Sequence, residues 1–158
     1  MNWSLSEIQR ATGGRLCGDD RAISGVSTDT RAVAAGQLFV ALRGERFDAH
    51  DFLDQAIAAG AAALLVSDAA RVPAGATALV VDDTRIALGK LAAAWRARFA
   101  IPVIAVTGSN GKTTTKEMIA AILKVHFGDA VLATRGNLNN DIGLPLTLLR
   151  LDETHQAA

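Results

Sequence analysis

A glycine-rich loop between an apolar run and a helical pattern limits the folds open to this chain more than any other feature. The apolar run covers residues 101–106, the loop reads TGSNGKT, and the helical pattern begins with TTKEM. A continuously apolar run is typical of a strand that is buried on both faces of a parallel sheet. Strand, glycine loop and helix in this order predict a phosphate-binding loop within an α/β fold.

The residue types in this loop suit the binding of nucleotide phosphates. Successive backbone N–H groups and a helix N-terminus surround one small volume, and both attract anions. Gly108 and Gly111 permit backbone torsions that a side chain would obstruct. Lys112 can place its ammonium group against the outer phosphates, and the Thr113 hydroxyl can bind a Mg²⁺ that bridges them. The predicted cofactor-binding residues are Gly108, Ser109, Asn110, Gly111, Lys112, Thr113 and Thr114.

Two of these residues carry the predicted chemistry. Lys112 and Thr113 are the predicted catalytic residues, and Thr113 is also the predicted metal ligand. The loop is shorter than G-x-x-x-x-G-K-[ST], because Val106 stands where that pattern has its first glycine. A phosphate loop also needs a carboxylate from another strand. Asp82 and Asp83 are candidates by pattern, but Asp83 is as well placed to cap a helix, and we favour the cap.

Composition excludes several classes of protein. The chain has 158 residues, half of them hydrophobic, and its 16 basic residues balance 16 acidic ones. This balance gives no field that would attract nucleic acid. The apolar runs are far shorter than the roughly 20 residues that span a membrane, and the first residues lack a secretory pattern. We therefore expect a cytoplasmic protein without membrane insertion.

Cysteine and histidine usage argues against a metal site made by the protein alone. Cys17 is the only cysteine, so the chain can form neither an internal disulfide nor a cysteine zinc cluster. The three histidines, His50, His126 and His155, lack the close pairing of a metal-binding motif.

The pattern of residues 1–82 predicts a small mixed α/β domain. Ser4 and Glu7 have capping-box spacing, which predicts a helix over residues 5–12. Strands are predicted around Leu16 and Val26, over 37–42 and 61–67, and at ALVVDD, with a helix at about 51–59.

The pattern changes near Asp83, where a second domain over residues 83–158 is predicted to begin. Leu88, Leu91, Trp95 and Phe99 recur at helical spacing, and strand 101–106 follows. After the loop, a helix is predicted to bury a stripe of four residues. The stripe consists of Met118, Ile119, Ile122 and Leu123. A strand at AVLAT and a helix with Pro145 in its first turn complete this start of a parallel-sheet phosphate-loop domain.

Polar segments elsewhere each allow two interpretations. In STDTR, Thr28, Asp29, Thr30 and Arg31 can meet a uridine and a diphosphate, or Asp29 can close a local turn beside a solvated arginine. In GERFDAHDF, Arg46 can bind phosphate and Phe47 can form an apolar wall, whereas Asp48, His50 and Asp51 suit an exposed turn and a helix cap. Asn137, Asn139 and Asn140 can bind a ligand or close their own loop. Lys116 and Glu117 are predicted to lie on a solvated face.

Four segments together resemble the Mur ligase family of bacterial cell-wall synthesis. They read AVTGSNGKTTTKEM, TRGNLNNDIGLPLTLLRL, STDTRAVAAGQLFVALRGERFDAHDF and AGAAALLVS, and they cover nearly the whole chain. The resemblance implies that residues 1–82 bind a UDP-sugar and that residues 83–158 begin the central ATPase domain. It favours substrate binding by Thr28, Asp29, Thr30, Arg31, Arg46, Phe47, Asn137 and Asn140. The implied cofactors are ATP and Mg²⁺.

Within the family, the NLNND-IG-P-TLL arrangement is most similar to the members that add the terminal dipeptide. The implied reaction joins D-alanyl-D-alanine to UDP-N-acetylmuramoyl-tripeptide through an acyl phosphate, in peptidoglycan precursor synthesis. Family members continue through further strands and a third domain, so we expect this chain to be a fragment that is inactive without the C-terminal portion. The alternatives are another Mur-type ligase, a generic phosphate-loop NTPase and a non-catalytic UDP-sugar-binding module.

Overall fold

The computed structural model describes residues 2–136, 138 and 140–158. Its elements are β1 (Trp3–Ser4), α1 (Leu5–Thr12), β2 (Arg15–Cys17), β3 (Ala22–Ile23), β4 (Gly25–Ser27), β5 (Gln37–Val40), α2 (Leu53–Ala58), β6 (Ala63–Val66), β7 (Ala78–Val80), α3 (Thr84–Arg96), α4 (Lys112–Phe127) and α5 (Gly143–Leu148). Short 3-10 turns at Ala49–Phe52 and Ala69–Arg71 precede α2 and β7. Within these residues, every helix is too short or too polar to cross a membrane.

The first helix begins and ends where the sequence predicts. The Ser4 hydroxyl accepts a hydrogen bond from the Glu7 N–H at 3.2 Å, and the Glu7 carboxylate accepts one from the Ser4 N–H at 2.9 Å. This reciprocal capping box satisfies two donors that the first turn of a helix leaves without partners. Gly13 ends the helix with φ of 76°, a conformation that favours glycine. The predicted helix over residues 5–12 is confirmed.

A five-stranded sheet lies at the centre of the first part of the chain, in the order β2-β7-β6-β5-β4. Strands β4 to β7 run parallel, and β2 pairs antiparallel with β7. The short strands β1 and β3 pair with each other. All five strands lie within the apolar segments that predicted them, so the mixed α/β prediction is confirmed.

The parallel strands bring polar segments to one edge of the sheet. Because β4 to β7 share a direction, the residues that follow them lie at the same edge. These residues include Thr28, the segment 43–47, Ser67 and Asp82. Open α/β sheets bind their ligands in crevices outside the carboxyl ends of the strands. This edge is therefore the place for a ligand site in the first part of the chain.

Alternate residues of the strands face two apolar layers. Leu38, Val40 and Leu65 belong to the cluster that also contains α1 and α3. Phe39 and Leu64 belong to the cluster on the opposite face, together with residues of α2. This period of two is the expected consequence of side chains that point alternately to the two faces of a strand.

Helix α3 packs into the first of these layers. The Asp83 carboxylate accepts hydrogen bonds from the N–H groups of Arg85 and Ile86 at 2.7 and 3.0 Å, which confirms the predicted cap. Leu88 and Leu91 of α3 have no exposed surface and share one cluster with the sheet. The helix that follows the predicted boundary thus packs onto the sheet that precedes it. The division into residues 1–82 and 83–158 remains a prediction.

An aromatic cluster joins the beginning of the chain to α3. The ring centroids of Trp3 and Trp95 lie 5.4 Å apart, and those of Trp95 and Phe99 are also 5.4 Å apart. The Arg98 guanidinium lies 5.5 and 5.2 Å from the two indole rings. The Trp95 Nε1–H donates to the carbonyl oxygen of Leu151 at 3.0 Å. The segment after α5 is therefore tied to the same core.

Two strands that the sequence predicts are not formed in the described residues. The segment 101–106 makes two hydrogen bonds with Ala158, at 2.9 and 3.1 Å, and lies outside the named strands. At AVLAT, Val131 forms an isolated parallel bridge with Ala157. A strand needs a continuous ladder of hydrogen bonds to a neighbouring strand, and these segments form only a few of those bonds.

Pro145 lies in the first turn of α5, as predicted.

The predicted buried stripe of α4 is only partly correct. Ile119 and Leu123 are half-buried, and Ala120 is buried. Met118 and Ile122, which were predicted to be buried, are 62% and 68% exposed. Helix α4 carries apolar residues on more than one side, and periodicity alone does not tell which side meets the rest of the chain.

A buried histidine joins the loop after β5 to the end of β6. The His50 Nδ1 lies 2.6 Å from an Asp48 carboxylate oxygen, and its Nε2 accepts a hydrogen bond from the Ser67 N–H at 3.0 Å. A ring nitrogen that accepts is unprotonated, so the proton lies on Nδ1 and is donated to Asp48. The exposed-turn interpretation is wrong for His50, which is 3% exposed, while Asp48 caps the 3-10 turn as predicted.

Asp48 is the centre of this polar network. Its carboxylate also accepts hydrogen bonds from Arg43 at 3.1 Å and from Arg71 at 2.8 Å. Partial burial raises the pKa of Asp48, but the hydrogen bonds from His50 and the charge of Arg43 outweigh it, so the pKa lies well below 3.8. The charged form of Asp48 therefore stabilises the folded state.

We expect Asp48→Asn to lower the free energy of unfolding by about 1.5–3 kcal/mol near neutral pH, because hydrogen bonds to a charged group are lost. A carboxyl whose pKa is depressed by folding contributes stability above its unfolded pKa of about 3.9, and this is lost as the pH falls through the folded pKa. The difference in unfolding free energy between the unchanged chain and Asp48→Asn should therefore shrink below about pH 4. Urea unfolding across this range measures it. Asp54→Asn, at an exposed position of α2, is the control. A difference that is independent of pH would contradict the network.

The packing of α3 gives a second prediction. Leu88→Ala removes a side chain without exposed surface and should lower the free energy of unfolding by about 2–5 kcal/mol. Ile86→Ala, at a position of the same helix that is 60% exposed, should change it by less than about 1 kcal/mol. Denaturant unfolding of both variants measures the difference. Equal losses would show that α3 does not dock as described.

Candidate functional site

The glycine loop ends in a helix N-terminus that no side chain caps in the described residues. The first helical hydrogen bond of α4 runs from the Thr115 N–H to the Gly111 carbonyl at 2.9 Å. The N–H groups of the first turn are therefore available to a ligand, and the helix dipole favours an anion there. Gly108 and Gly111 have φ of 142° and 77°, where a side chain would be strained. This geometry suits the binding of a phosphate group.

The predicted catalytic residues line a cavity beside this helix end. Its volume is about 110 Å³, and Lys112, Thr113, Lys116, Thr134 and Gly136 contribute to its walls. Such a volume suits phosphate groups and is too small for a whole nucleotide. The Lys112 ammonium donates to the Gly108 carbonyl at 2.6 Å, which holds it over the loop.

The other predicted loop residues lie around the entrance. Ser109, Asn110 and Thr114 are exposed and do not line the cavity. The hydroxyl of Thr113 is a protein oxygen at this cavity that can act as a ligand for a magnesium ion. Mg²⁺ commonly takes one or two protein ligands and completes its shell with water and phosphate oxygens, so this single hydroxyl fits the ion together with a nucleotide.

Lys116 does not lie on a solvated face, contrary to the prediction. Its side chain is 20% exposed, and its ammonium donates to the carbonyl of Thr134 at 2.8 Å. The same ammonium donates to the Glu117 carboxylate at 2.5 Å and to the carbonyl of Gly136 at 3.4 Å. Helical spacing places Lys116 on the same face as Ile119 and Ala120, a signal that could have indicated its burial.

A second cavity, of about 600 Å³, lies at the carboxyl edge of the sheet and collects most of the predicted substrate residues. Its walls are Thr28, Asp29, Thr30, Arg31, Phe39, Phe47, Phe52 and Gln55. Phe47 stacks on Phe52 with ring centroids 5.3 Å apart, so one wall is aromatic. Arg46 is exposed and does not line this cavity. The sequence did not single out Phe52 and Gln55, although the predicted helix over 51–59 puts them on one face.

Asp29 and Arg31 form a local turn that leaves the guanidinium exposed. The Asp29 carboxylate accepts hydrogen bonds from the Arg31 N–H at 2.9 Å and from the Arg31 side chain at 2.9 and 2.7 Å. The Arg31 side chain and its backbone N–H lower the pKa of Asp29 to about 2. The Arg31 side chain is 88% exposed, so its outer face is open to an anion. The local-turn interpretation and a ligand role are therefore compatible.

A third cavity, of about 490 Å³, lies beside the start of α3 and includes Arg43, Ser67, Asp82 and Arg85. Asp82, one candidate metal ligand, lines this cavity and not the phosphate cavity. Arg85 forms an ion pair with Asp141 at 3.2 Å. This pair ties the start of α3 to Asp141, the last residue of the segment NLNND (137–141), the asparagine segment.

The described part of the asparagine segment is held by its own backbone. Asn140 Oδ1 accepts hydrogen bonds from the N–H groups of Gly143 and Ile142 at 2.7 and 3.3 Å, which fixes the entry to α5. The Asn140 amide N–H groups remain as donors for a ligand. Asn137 and Asn139 lie outside the described residues.

Two family models match most of the chain. The Mur ligase catalytic-domain model matches residues 22–96, and the Mur ligase middle-domain model matches residues 106–158. The UDP-N-acetylmuramoyl-tripeptide–D-alanyl-D-alanine ligase of Escherichia coli is 52% identical over 98% of this chain and 33% of the relative. The ligase of the same name from Bacillus subtilis is 44% identical over 98% of this chain and 34% of its own length.

Solved structures agree with these matches. A crystal structure of MurF from Acinetobacter baumannii superposes with a TM-score of 0.88 and 44% identity, covering 100% of this chain and 35% of that one. MurF ligase from Thermotoga maritima in complex with ADP has a TM-score of 0.74 and 35% identity, covering 84% of this chain and 30% of that one. The chain spans about a third of the length of these relatives. By sequence and by fold, it belongs to the Mur ligase family.

Proposed function

We propose that this chain carries the UDP-sugar-binding and phosphate-binding parts of an ATP-dependent ligase that joins D-alanyl-D-alanine to UDP-N-acetylmuramoyl-tripeptide. The observation that carries the proposal is the uncapped N-terminus of α4 with Lys112 and Thr113 lining a phosphate-sized cavity. The names of the relatives from Escherichia coli and Bacillus subtilis support the choice of substrates. Because the chain spans about a third of their length, we assign binding steps to this chain and the complete reaction to a full-length ligase.

The proposed reaction solves one chemical problem, which is that a carboxylate is a poor electrophile. Transfer of the γ-phosphoryl group of ATP to the tripeptide carboxylate gives an acyl phosphate and ADP. The amino group of D-alanyl-D-alanine then attacks the acyl carbon, and inorganic phosphate leaves as the amide bond forms. We assign this ATP-dependent reaction to peptidoglycan precursor synthesis in the cytoplasm.

In this reaction Lys112 and the loop amides hold the phosphates. The ammonium of Lys112 offsets negative charge on the transferred group, and the N–H groups of the first turn of α4 bind phosphate oxygens. Thr113 would hold the Mg²⁺, which supplies charge neutralisation when it is bound. Gly108, Ser109, Asn110, Gly111 and Thr114 form the rest of the proposed ATP contact.

We assign the UDP-sugar to the cavity at the carboxyl edge of the sheet. Arg31 presents a guanidinium of suitable charge for a diphosphate, and Phe47 with Phe52 offers an aromatic wall for a planar base. The hydroxyls of Thr28 and Thr30 supply further hydrogen bonds. Arg46, Asn137 and Asn140 remain proposed substrate contacts outside this cavity.

Lys112→Met should weaken the binding of a non-hydrolysable ATP analogue by at least about tenfold, because a charge-assisted hydrogen bond to phosphate is lost. Calorimetric titration in the presence of Mg²⁺ measures the affinity. The control is Lys124→Met, at an exposed position of the same helix, which should bind as the unchanged chain does. Equal affinities for the two variants would remove Lys112 from the site.

Arg31→Ala should lower the affinity for UDP-N-acetylmuramoyl-tripeptide by about tenfold. Since the side chain is 88% exposed and its ion pair with Asp29 is on the surface, the free energy of unfolding should change little. Arg10→Ala, at an exposed position of α1, is the matched control.

The same titrations separate the proposal from its alternatives. Binding of the ATP analogue without any affinity for the sugar nucleotide would favour a generic phosphate-loop NTPase. Binding of the sugar nucleotide alone would favour a non-catalytic module. Affinity for both ligands is the outcome expected here.

A further inference from the structure

Lys116 is a second lysine at the phosphate cavity, and its ammonium faces the protein. The side chain leaves the second turn of α4 and is 20% exposed. Its acceptors are the carbonyl oxygens of Thr134 and Gly136, at 2.8 and 3.4 Å, and the Glu117 carboxylate at 2.5 Å. A protonated amine has three N–H donors, and these acceptors account for all of them.

This arrangement distinguishes Lys116 from Lys112. In the described residues, Lys112 donates to the Gly108 carbonyl and keeps donors for a ligand. A ligand could recruit Lys116 only by breaking its bonds to the backbone of the opposite wall. The geometry therefore favours a structural task for Lys116 over direct contact with a phosphate.

The backbone that Lys116 holds is the wall of the cavity opposite α4. Thr134 and Gly136 line the cavity together with Lys112 and Thr113. Gly136 has φ of 54°, so the chain turns at this point. The asparagine segment with Asn140, a proposed substrate contact, follows this turn.

We propose that Lys116 is a positioning residue, which holds residues 134–136 against α4 and so sets the distance between the phosphate loop and Asn140. The inference rests on the proposed function, because it assumes that the phosphate loop binds ATP and that Asn140 contacts the sugar nucleotide. Lys116 lines the phosphate cavity, but its ammonium is engaged by the opposite wall. It acts through the two carbonyl groups of the opposite wall.

The test compares Lys116→Met, which keeps the length of the side chain and removes the donors, with Lys116→Arg, which keeps the charge and donors. Lys124→Met is the control on the same helix. Calorimetry measures the affinities for a non-hydrolysable ATP analogue and for UDP-N-acetylmuramoyl-tripeptide. Limited digestion with trypsin measures cleavage after Arg135, which is exposed within the held segment. Thermal unfolding measures global stability.

For Lys116→Met we expect the sugar-nucleotide affinity to fall by about tenfold or more. The affinity for the ATP analogue should fall less, by no more than about threefold, because Lys112 and the loop amides keep their contacts with the phosphates while the wall formed by Thr134 and Gly136 loosens. Cleavage after Arg135 should become about fivefold faster, because the opening is local. The unfolding temperature, and cleavage at the other sites that the variant shares with the unchanged chain, should stay the same. Lys116→Arg should restore slow cleavage and most of the affinity.

Several results would overturn the inference. Cleavage after Arg135 at the rate of the control would show that Lys116 does not hold the wall. Equal loss of affinity for both ligands would indicate that Lys116 contacts phosphate directly or that the variant is generally damaged. If Lys116→Arg is as impaired as Lys116→Met, the hydrogen-bond donors of the side chain do not account for its role. If the methionine variant does not fold, Lys116→Gln takes its place. If the unchanged chain binds neither ligand, the proposed function fails, and the cleavage rates still decide whether Lys116 positions the wall.

Discussion

The burial of α3 against the sheet is the interaction on which the rest of the structure depends. Leu88, Leu91 and Trp95 enter the same apolar layer as the strands and α1. Burying a leucine side chain completely contributes about 1.5–3 kcal/mol, so this face contributes several times that amount. The helix also connects two halves of the chain, because the segment after α5 hydrogen-bonds to Trp95. The core thus extends from the sheet through α3 to the segment after α5.

The two sites use different physical means to attract negative charge. At the start of α4, uncapped backbone N–H groups and Lys112 converge on a small volume. At the carboxyl edge of the sheet, Arg31 is exposed beside stacked phenylalanines in a much larger cavity. The first arrangement suits compact phosphate groups, and the second suits a ligand with a planar ring as well as charge. This contrast supports the proposed division between ATP and UDP-sugar.

Local patterns predicted the elements that depend on neighbouring residues in the sequence. The capping box at Ser4, the cap at Asp83 and the glycine loop before α4 each rest on spacings of a few residues. The strands of the five-stranded sheet were equally visible, because each is a short apolar run between turn residues. The family resemblance rested on the same short segments and is confirmed.

Features that depend on distant partners were harder to predict. Residues 101–106 read as a strand, yet strand formation requires a neighbour that sequence periodicity cannot identify. Met118 and Ile122 satisfied a helical apolar stripe but lie on the exposed side of α4. Lys116 looked like an ordinary surface lysine, and only the position of residues 134–136 shows its acceptors. For the same reason, the sequence did not indicate that Phe52 completes the aromatic wall.

The aromatic cluster has a spectroscopic consequence. The chain contains two tryptophans and no tyrosine, and both indole rings lie in the contact between the first strand and α3. Intrinsic fluorescence therefore originates from this junction, where the Arg98 guanidinium and the Leu151 carbonyl also surround the rings. Emission will report when α3 separates from the sheet, whereas loosening confined to α4 will leave the optical signal unchanged.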